Sequence, residues 1–207
     1  MNNTGQSPVK KTMKKKPSTL KNMVIALTLV GCGAALSVGL VNTITEEPIA
    51  QARQARLEAA IRTVLPDFDH LEEPRIQEIE ADGRKGNLMF YRAYKNDRYV
   101  GTAIATFTNR GFKGLIQLMV GFLPDGTINN IDVVRHRETP GLGDRIELRF
   151  PWPRQFQGMH PDNVNLRLRQ DGGDIDAITA ATITARAYLE AVRLAFDNFT
   201  IENQNYE

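Results

Sequence analysis

The 207-residue chain has one cysteine, Cys32, and it lies inside an apolar run, so a disulfide framework and thiol chemistry are excluded for everything after that run. Histidine is scarce: His70, His136 and His160 are too dispersed for metal-ligand spacing and read as surface or loop residues. No internal repeat is present. Acidic residues are missing from the first 22 positions, which hold six lysines among Pro, Ser, Asn and Gln. Such a segment has too little apolar surface to fold and is expected to be disordered. Taking those six from the 26 basic residues leaves 20 against 24 acidic ones, so the remainder is net negative. That balance argues against nucleic-acid binding by the folded part.

Charge is also absent from Met23 to Val41, nineteen residues that continue weakly through Asn42-Thr43-Ile44. At about 1.5 Å per residue this run matches the roughly 30 Å hydrocarbon core of a bilayer, and residues 23–44 read as one transmembrane helix. Lysines before it and Glu46-Glu47 after it place the tail, residues 1–22, in the cytoplasm and the rest outside. A cleaved signal peptide is the competing reading, and Leu29-Val30-Gly31-Cys32 resembles a lipoprotein cleavage site. The apolar run goes on for nine residues past Cys32, which favours an uncleaved anchor.

About 160 residues follow, enough for one domain with a sizeable core. Residues 45–87 read as a connecting helix and linker, with a helical pattern over Gln51–Val64 that Pro66 stops. Leu88–Tyr94 and Arg98–Phe107 flank Lys95-Asn-Asp97 as a hairpin. Leu115–Phe122 and Ile128–Val134 form a second pair across Leu123-Pro124-Asp125-Gly126, where proline sets φ and glycine accepts a positive one. The fold class is α+β: an antiparallel sheet of four or more strands with flanking helices over 88–200, and a C-terminal tail over 201–207. Tyr91, Tyr94 and Tyr99 read as sheet packing.

Two stretches carry special residues. In Arg135–Arg145, Pro140, Gly141 and Gly143 make a constrained loop whose backbone could approach a planar ligand, with Glu138 and Thr139 as polar contacts. In Asp174–Thr184, small residues (Ala177, Ala180, Ala181) surround Thr179, Thr182 and Thr184. Apolar side chains at 183, 187, 191, 194 and 195 then keep helical spacing, so Asp176 or Thr179 is expected to cap a helix running to about Phe196. Asp and Thr ahead of an Ala-rich helix are most often only a cap, although a helix N-terminus also suits a phosphate.

Resemblance adds to this reading. Thr179-Ala-Ala-Thr-Ile-Thr184, after Asp171-Gly-Gly-Asp174, resembles the [S/T]-G-A-T-x-[S/T] flavinylation motif, and Glu138-Thr-Pro-Gly-Leu-Gly-Asp144 resembles a hallmark of the same flavoproteins. With Gly111-Phe-Lys-Gly114 through Gly121 and the single anchor, most of residues 20–200 resemble the G subunit of the Rnf (Rsx) ion-translocating electron-transport complex. The chain is more distantly similar to the C subunit of the Na+-translocating NADH:quinone reductase.

The resemblance implies FMN held covalently by a phosphoester on Thr182, with Glu138, Thr139, Gly141, Leu142, Gly143, Asp176 and Thr179 as further cofactor-binding residues. It implies electron carriage within a complex of the bacterial inner membrane, with the main domain periplasmic or external and substrate turnover left to other subunits. Its partners would be those subunits and a flavin transferase. One departure is Ala180, where the family has glycine. Alanine suits the first right-handed turn of a helix, and that is the conformation expected here. A cofactor-free, membrane-anchored assembly or binding domain is the alternative.

Overall fold

A computed structural model describes residues 19–81 and 84–204, and the disorder expected of the basic tail falls largely outside them. The chain divides into two compact units, Met1–Gln51 and Ala52–Glu207. Helix α1 covers Leu20–Val64, taking in both the expected span and the connecting helix, and it continues through Pro48. Every described residue of the first unit is exposed, and by length and composition the apolar part of α1 is able to cross a membrane. The helix ends two residues ahead of Pro66, because a proline ring disfavours α geometry in the residue before it.

The second unit holds six antiparallel strands: β1 His70–Leu71, β2 Arg75–Ala81, β3 Arg84–Lys95, β4 Arg98–Gly111, β5 Gly114–Phe122 and β6 Ile128–Arg135. Their order is β1-β3-β4-β5-β6, with β2 also paired to β3. The α+β architecture is as expected, but the charged link over 66–87 is not a link: it contains β1, β2 and the start of β3. The sequence conceals β2 because its half-buried positions are Gln77 and Ile79 while Ile76 is 59 % exposed beside Glu78 and Glu80. Gln77 satisfies itself on Asn198 Oδ1 at 3.2 Å, and charged side chains are the usual guard of a strand with one neighbour.

The β3–β4 turn is Asn96-Asp97, with φ of 50° and 58° and Lys95 paired to Arg98. Two consecutive positive φ values match the right-handed twist of a two-residue hairpin, and Asn and Asp tolerate them best after glycine. At the other hairpin Gly126 has φ 87° and the Asp125 carboxylate accepts the Thr127 N–H at 2.9 Å, which holds that carboxyl below its usual range.

Both faces of the sheet are covered. Helix α2, Thr182–Gln204, packs Ala185, Tyr188, Val192 and Ala195 onto Ile104, Ile116, Leu118 and Val120. Its alanines admit close approach, so that the buried Thr106 hydroxyl donates to the Ala191 carbonyl at 3.0 Å. On the opposite face the end of α1 contributes Ala60, Ile61 and Val64 against Tyr91, Ala103 and Met119. Asn129 and Asn130 side chains donate to the Val64 and Thr63 carbonyls at 2.8 and 3.1 Å, satisfying acceptors that a helix C-terminus leaves open. Arg56 adds an ion pair to Asp132 at 2.7 Å.

The α1 end sits so close that a methyl group on Gly121 would lie 2.0 Å from the Val64 carbonyl oxygen. Gly121→Ala is therefore expected to lower stability by about 1–3 kcal/mol, the usual cost of overpacking. The urea midpoint of the purified protein measures it, and an unchanged midpoint would show that this contact is slack.

Candidate functional site

After β6 the chain takes an irregular path to α2 through four short 3-10 turns, Gly143–Ile146, Trp152–Phe156, Pro161–Asn163 and Arg169–Asp171. The first part winds around one carbonyl: the Thr139 oxygen accepts the N–H groups of Leu142, Gly143 and Asp144 at 3.2, 3.0 and 3.4 Å. Pro140 has no N–H to leave unpaired there, and Gly141 supplies the left-handed φ of 78°.

Glu138 leads into this loop and is 4 % exposed. Its Oε1 accepts the Lys113 backbone N–H at 3.0 Å, and its Oε2 accepts the hydroxyl of Thr184 on α2. Two glycines make room for the carboxylate. A Cβ on Gly111 would lie 2.8 Å from Oε1, and one on Gly143 would lie 2.9 Å from Oε2. Burying a carboxylate is costly unless donors replace the lost water, and this one has a donor on each oxygen.

Behind the loop, the Glu138 N–H donates to His136 Nδ1 at 3.0 Å and His136 Nε2 lies 2.7 Å from Glu147 Oε1. With Nδ1 accepting, Nε2 carries the proton and donates to Glu147. Arg149 pairs with both Glu147 and Asp144 at 2.8 Å. His136 is a loop residue, as expected, but its side chain is only 15 % exposed and it braces the loop. Spacing alone could not reveal this, since its partner is eleven residues away across a turn.

The other wall is the start of α2. The Ala181 N–H donates to the Ile178 carbonyl at 3.0 Å, closing a turn over Thr179 and Ala180, and the first helical bond runs from Ala185 to Ala181. Ala180 has φ 62°. The expected right-handed conformation is thus corrected: Ala180 sits at the turn position that demands a positive φ, which is why glycine is preferred there. The expected caps are corrected too, because the helix opens at Thr182, three residues beyond Thr179 and six beyond Asp176. It also runs to Gln204, past the expected end near Phe196 and into the expected C-terminal tail.

The walls meet in a groove of about 360 Å³ that brings Glu138, Thr139, Leu142 and Gly143 together with Thr182 and Thr184. Thr184 is 1 % exposed and spent on Glu138, whereas Thr182 is partly exposed and its hydroxyl has no partner among the described residues. Gly141, Asp176 and Thr179 are exposed and do not line the groove. Asp176 instead accepts the Trp152 indole N–H on its carbonyl at 2.6 Å and pairs with Arg169 at 3.1 Å. Two lining residues escape the motif reading as ligand contacts, Phe112 at the β4–β5 turn and Ile183. Both are large, apolar and exposed, 63 % and 51 %, as is Leu142 at 41 %, and an exposed aromatic in a Gly-x-x-Gly turn was the available signal.

Asp171-Gly-Gly-Asp174 holds the path onto α2. Both Asp171 oxygens accept from Arg186 at 2.7 Å, which keeps that carboxyl below its usual range. A Cβ on Gly173 would be 2.1 Å from the Arg167 carbonyl, and Asp174 accepts the Asn165 N–H at 2.7 Å.

Residues 111–197, which include both walls, match the model of a family described as FMN-binding domain. Over most of its length the chain is similar to proteins named as the G subunit of an ion-translocating oxidoreductase complex. That of Yersinia pestis is 34 % identical over 185 residues, 86 % of this chain and 88 % of that protein. That of Shewanella piezotolerans is 36 % identical over 192 residues, 87 % and 89 % respectively. That of Erwinia tasmaniensis is 36 % identical over 173 residues, 77 % and 81 %.

Because an L-residue at positive φ is strained by roughly 1 kcal/mol, Ala180→Gly is expected to stabilise the protein by about that amount, less the entropy glycine restores to the unfolded chain. Chemical denaturation of the two proteins side by side measures it. A Gly variant less stable than the parent would mean that the turn is not strained.

Proposed function

The chain belongs to the G-subunit family of ion-translocating oxidoreductase complexes and carries an FMN-binding domain, and from that premise we propose that it passes electrons through FMN bound covalently to Thr182 by a phosphoester bond. The observation that carries this reading is the Thr182 hydroxyl: partly exposed, unpartnered among the described residues, and opening on the groove that unites the two motifs.

The residues present fit such a group. The N–H groups of Thr182, Ile183 and Thr184 precede the first helical bond and can face a phosphate, where the helix dipole also favours negative charge. Phe112, Leu142 and Ile183 offer an apolar rim for a planar ring, and Thr139 and the loop backbone offer polar contacts. Bound FMN supplies stepwise acceptance and donation of electrons. The chain's part is placement. Thr182 would tether the group, and the apolar rim of Phe112, Leu142 and Ile183 would hold its ring.

Gly141, Asp176 and Thr179 would act on the cofactor only indirectly, through the turn and path that shape the groove. A flavin transferase would have to reach Thr182, and the exposed Thr179 and Ala180 leave an approach. Lysines before the apolar helix orient the Ala52–Glu207 unit to the outer side of the inner membrane, where a covalent tether keeps a scarce cofactor permanently in place. The other subunits of the complex are the electron donors and acceptors.

In native membranes the intact mass is expected to exceed that of the chain by FMN less one water, with a fluorescent band on a denaturing gel. Thr182→Ala should lose both, whereas Thr184→Ala should keep them while weakening the fold by about 1–3 kcal/mol through the donor taken from Glu138. Loss of the band with Thr184→Ala and its retention with Thr182→Ala would refute the assignment. A reporter fused after Glu207 is expected to be active only in a format that senses export, and activity in the cytoplasmic format would reverse the topology.

A further inference from the structure

Among the described residues the groove contains one charged side chain, and it is negative. No described Lys, Arg or His lines it; Glu138 alone is ionisable. The carboxylate is not incidental to the fold, since Gly111 and Gly143 both lack the Cβ that would collide with it, and Lys113 N–H and Thr184 O–H each hold one oxygen. At 4 % exposure it is shielded from water and counter-ions, so its field reaches across the groove with far less screening than a surface charge has. Arg149, the cation of the network behind the loop, is neutralised by Asp144 and Glu147 and lies outside the groove lining.

We propose that Glu138 is the residue that sets the reduction potential of the groove's flavin, holding it low. This rests on the reading that the ring lies in this groove. Reduction adds electron density to the ring, and a fixed buried carboxylate with no compensating cation in the described lining opposes it, because like charges repel and burial of one of them weakens the screening between them. The two hydrogen bonds and the two glycines keep the carboxylate in one position, so its effect is constant while electrons come and go. Glu138 is in this account a positioning residue for charge and takes no part in attachment.

The test is the midpoint potential of the flavin in the purified full-length protein, with the in-gel flavin band as the separate readout of attachment. Glu138→Gln keeps the shape and can still accept from Lys113 and donate to Thr184, and it is expected to keep the band and shift the potential upward. Glu138→Asp retains the charge and should return the potential towards the parent value. Leu142 is exposed and tolerates charge, so Leu142→Lys should raise the potential and Leu142→Glu should lower it. A banded Glu138→Gln protein with a potential equal to or below the parent's would overturn the proposal, as would Leu142 variants that shift together or not at all. Absence of a band from the parent protein would instead defeat the covalent reading.

Discussion

The hydrogen bond between Thr184 and Glu138 joins two parts of the chain 46 positions apart, an irregular loop after β6 and the first turn of α2. The loop is otherwise held by the Thr139 carbonyl, the His136–Glu147 contact, the Lys113 N–H on Glu138 and the burial of Ile146, none of which ties Glu138 to α2. A buried carboxylate left short of a donor is costly, so both partners are committed to the bond. Gly143 follows from it, and Gly111 serves the same carboxylate as well as the Gly114 carbonyl, which would lie 2.5 Å from a Cβ there. Cβ atoms on the two glycines would occupy the space that the carboxylate needs.

This junction is steady because it stands on a sheet packed on both faces. Ile116, Leu118 and Val120 of β5 face α2, while Met119 and Gly121 of the same strand face the end of α1. Strands β4 and β5 extend to the Gly111–Gly114 turn, which delivers the Lys113 N–H to Glu138 and Phe112 to the rim. The division of labour is common: rigid elements hold a site whose chemistry is carried by loops. Here Thr182, whose hydroxyl has no partner among the described residues, is separated by two positions from a threonine that is fully consumed by structure.

Much of this was legible in the residues. Pro124-Asp-Gly126 and Asn96-Asp97 identify the hairpin turns, because turn geometry imposes a local steric demand that few residues meet. The motifs that hold Glu138 to Gly143 and Thr182 stood out by resemblance to a flavoprotein family, because by residue type alone the first reads as a turn and the second as a helix cap. The turn at Ala180 did not stand out. An alanine next to a helical pattern reads as helix by propensity, and only the bond from Ala181 to Ile178 reveals a turn ahead of the helix. Strand β2 was concealed for a related reason: an edge strand carries charges, and its inward glutamine is satisfied by Asn198 from a helix that is distant in sequence.

The order of residues was enough to specify the apolar helix near the N-terminus and the hairpins of the antiparallel α+β class, because each depends on local sterics or on a run of transfer free energy that needs no partner. The family came from the resemblance of two motifs. Which threonine is free was settled only by the folded arrangement. Thr182 and Thr184 are two residues apart on one helix and chemically alike, and nothing local separates them. The difference is made by Glu138, brought from 46 positions away by the path after β6, which buries one hydroxyl and leaves the other open to the groove.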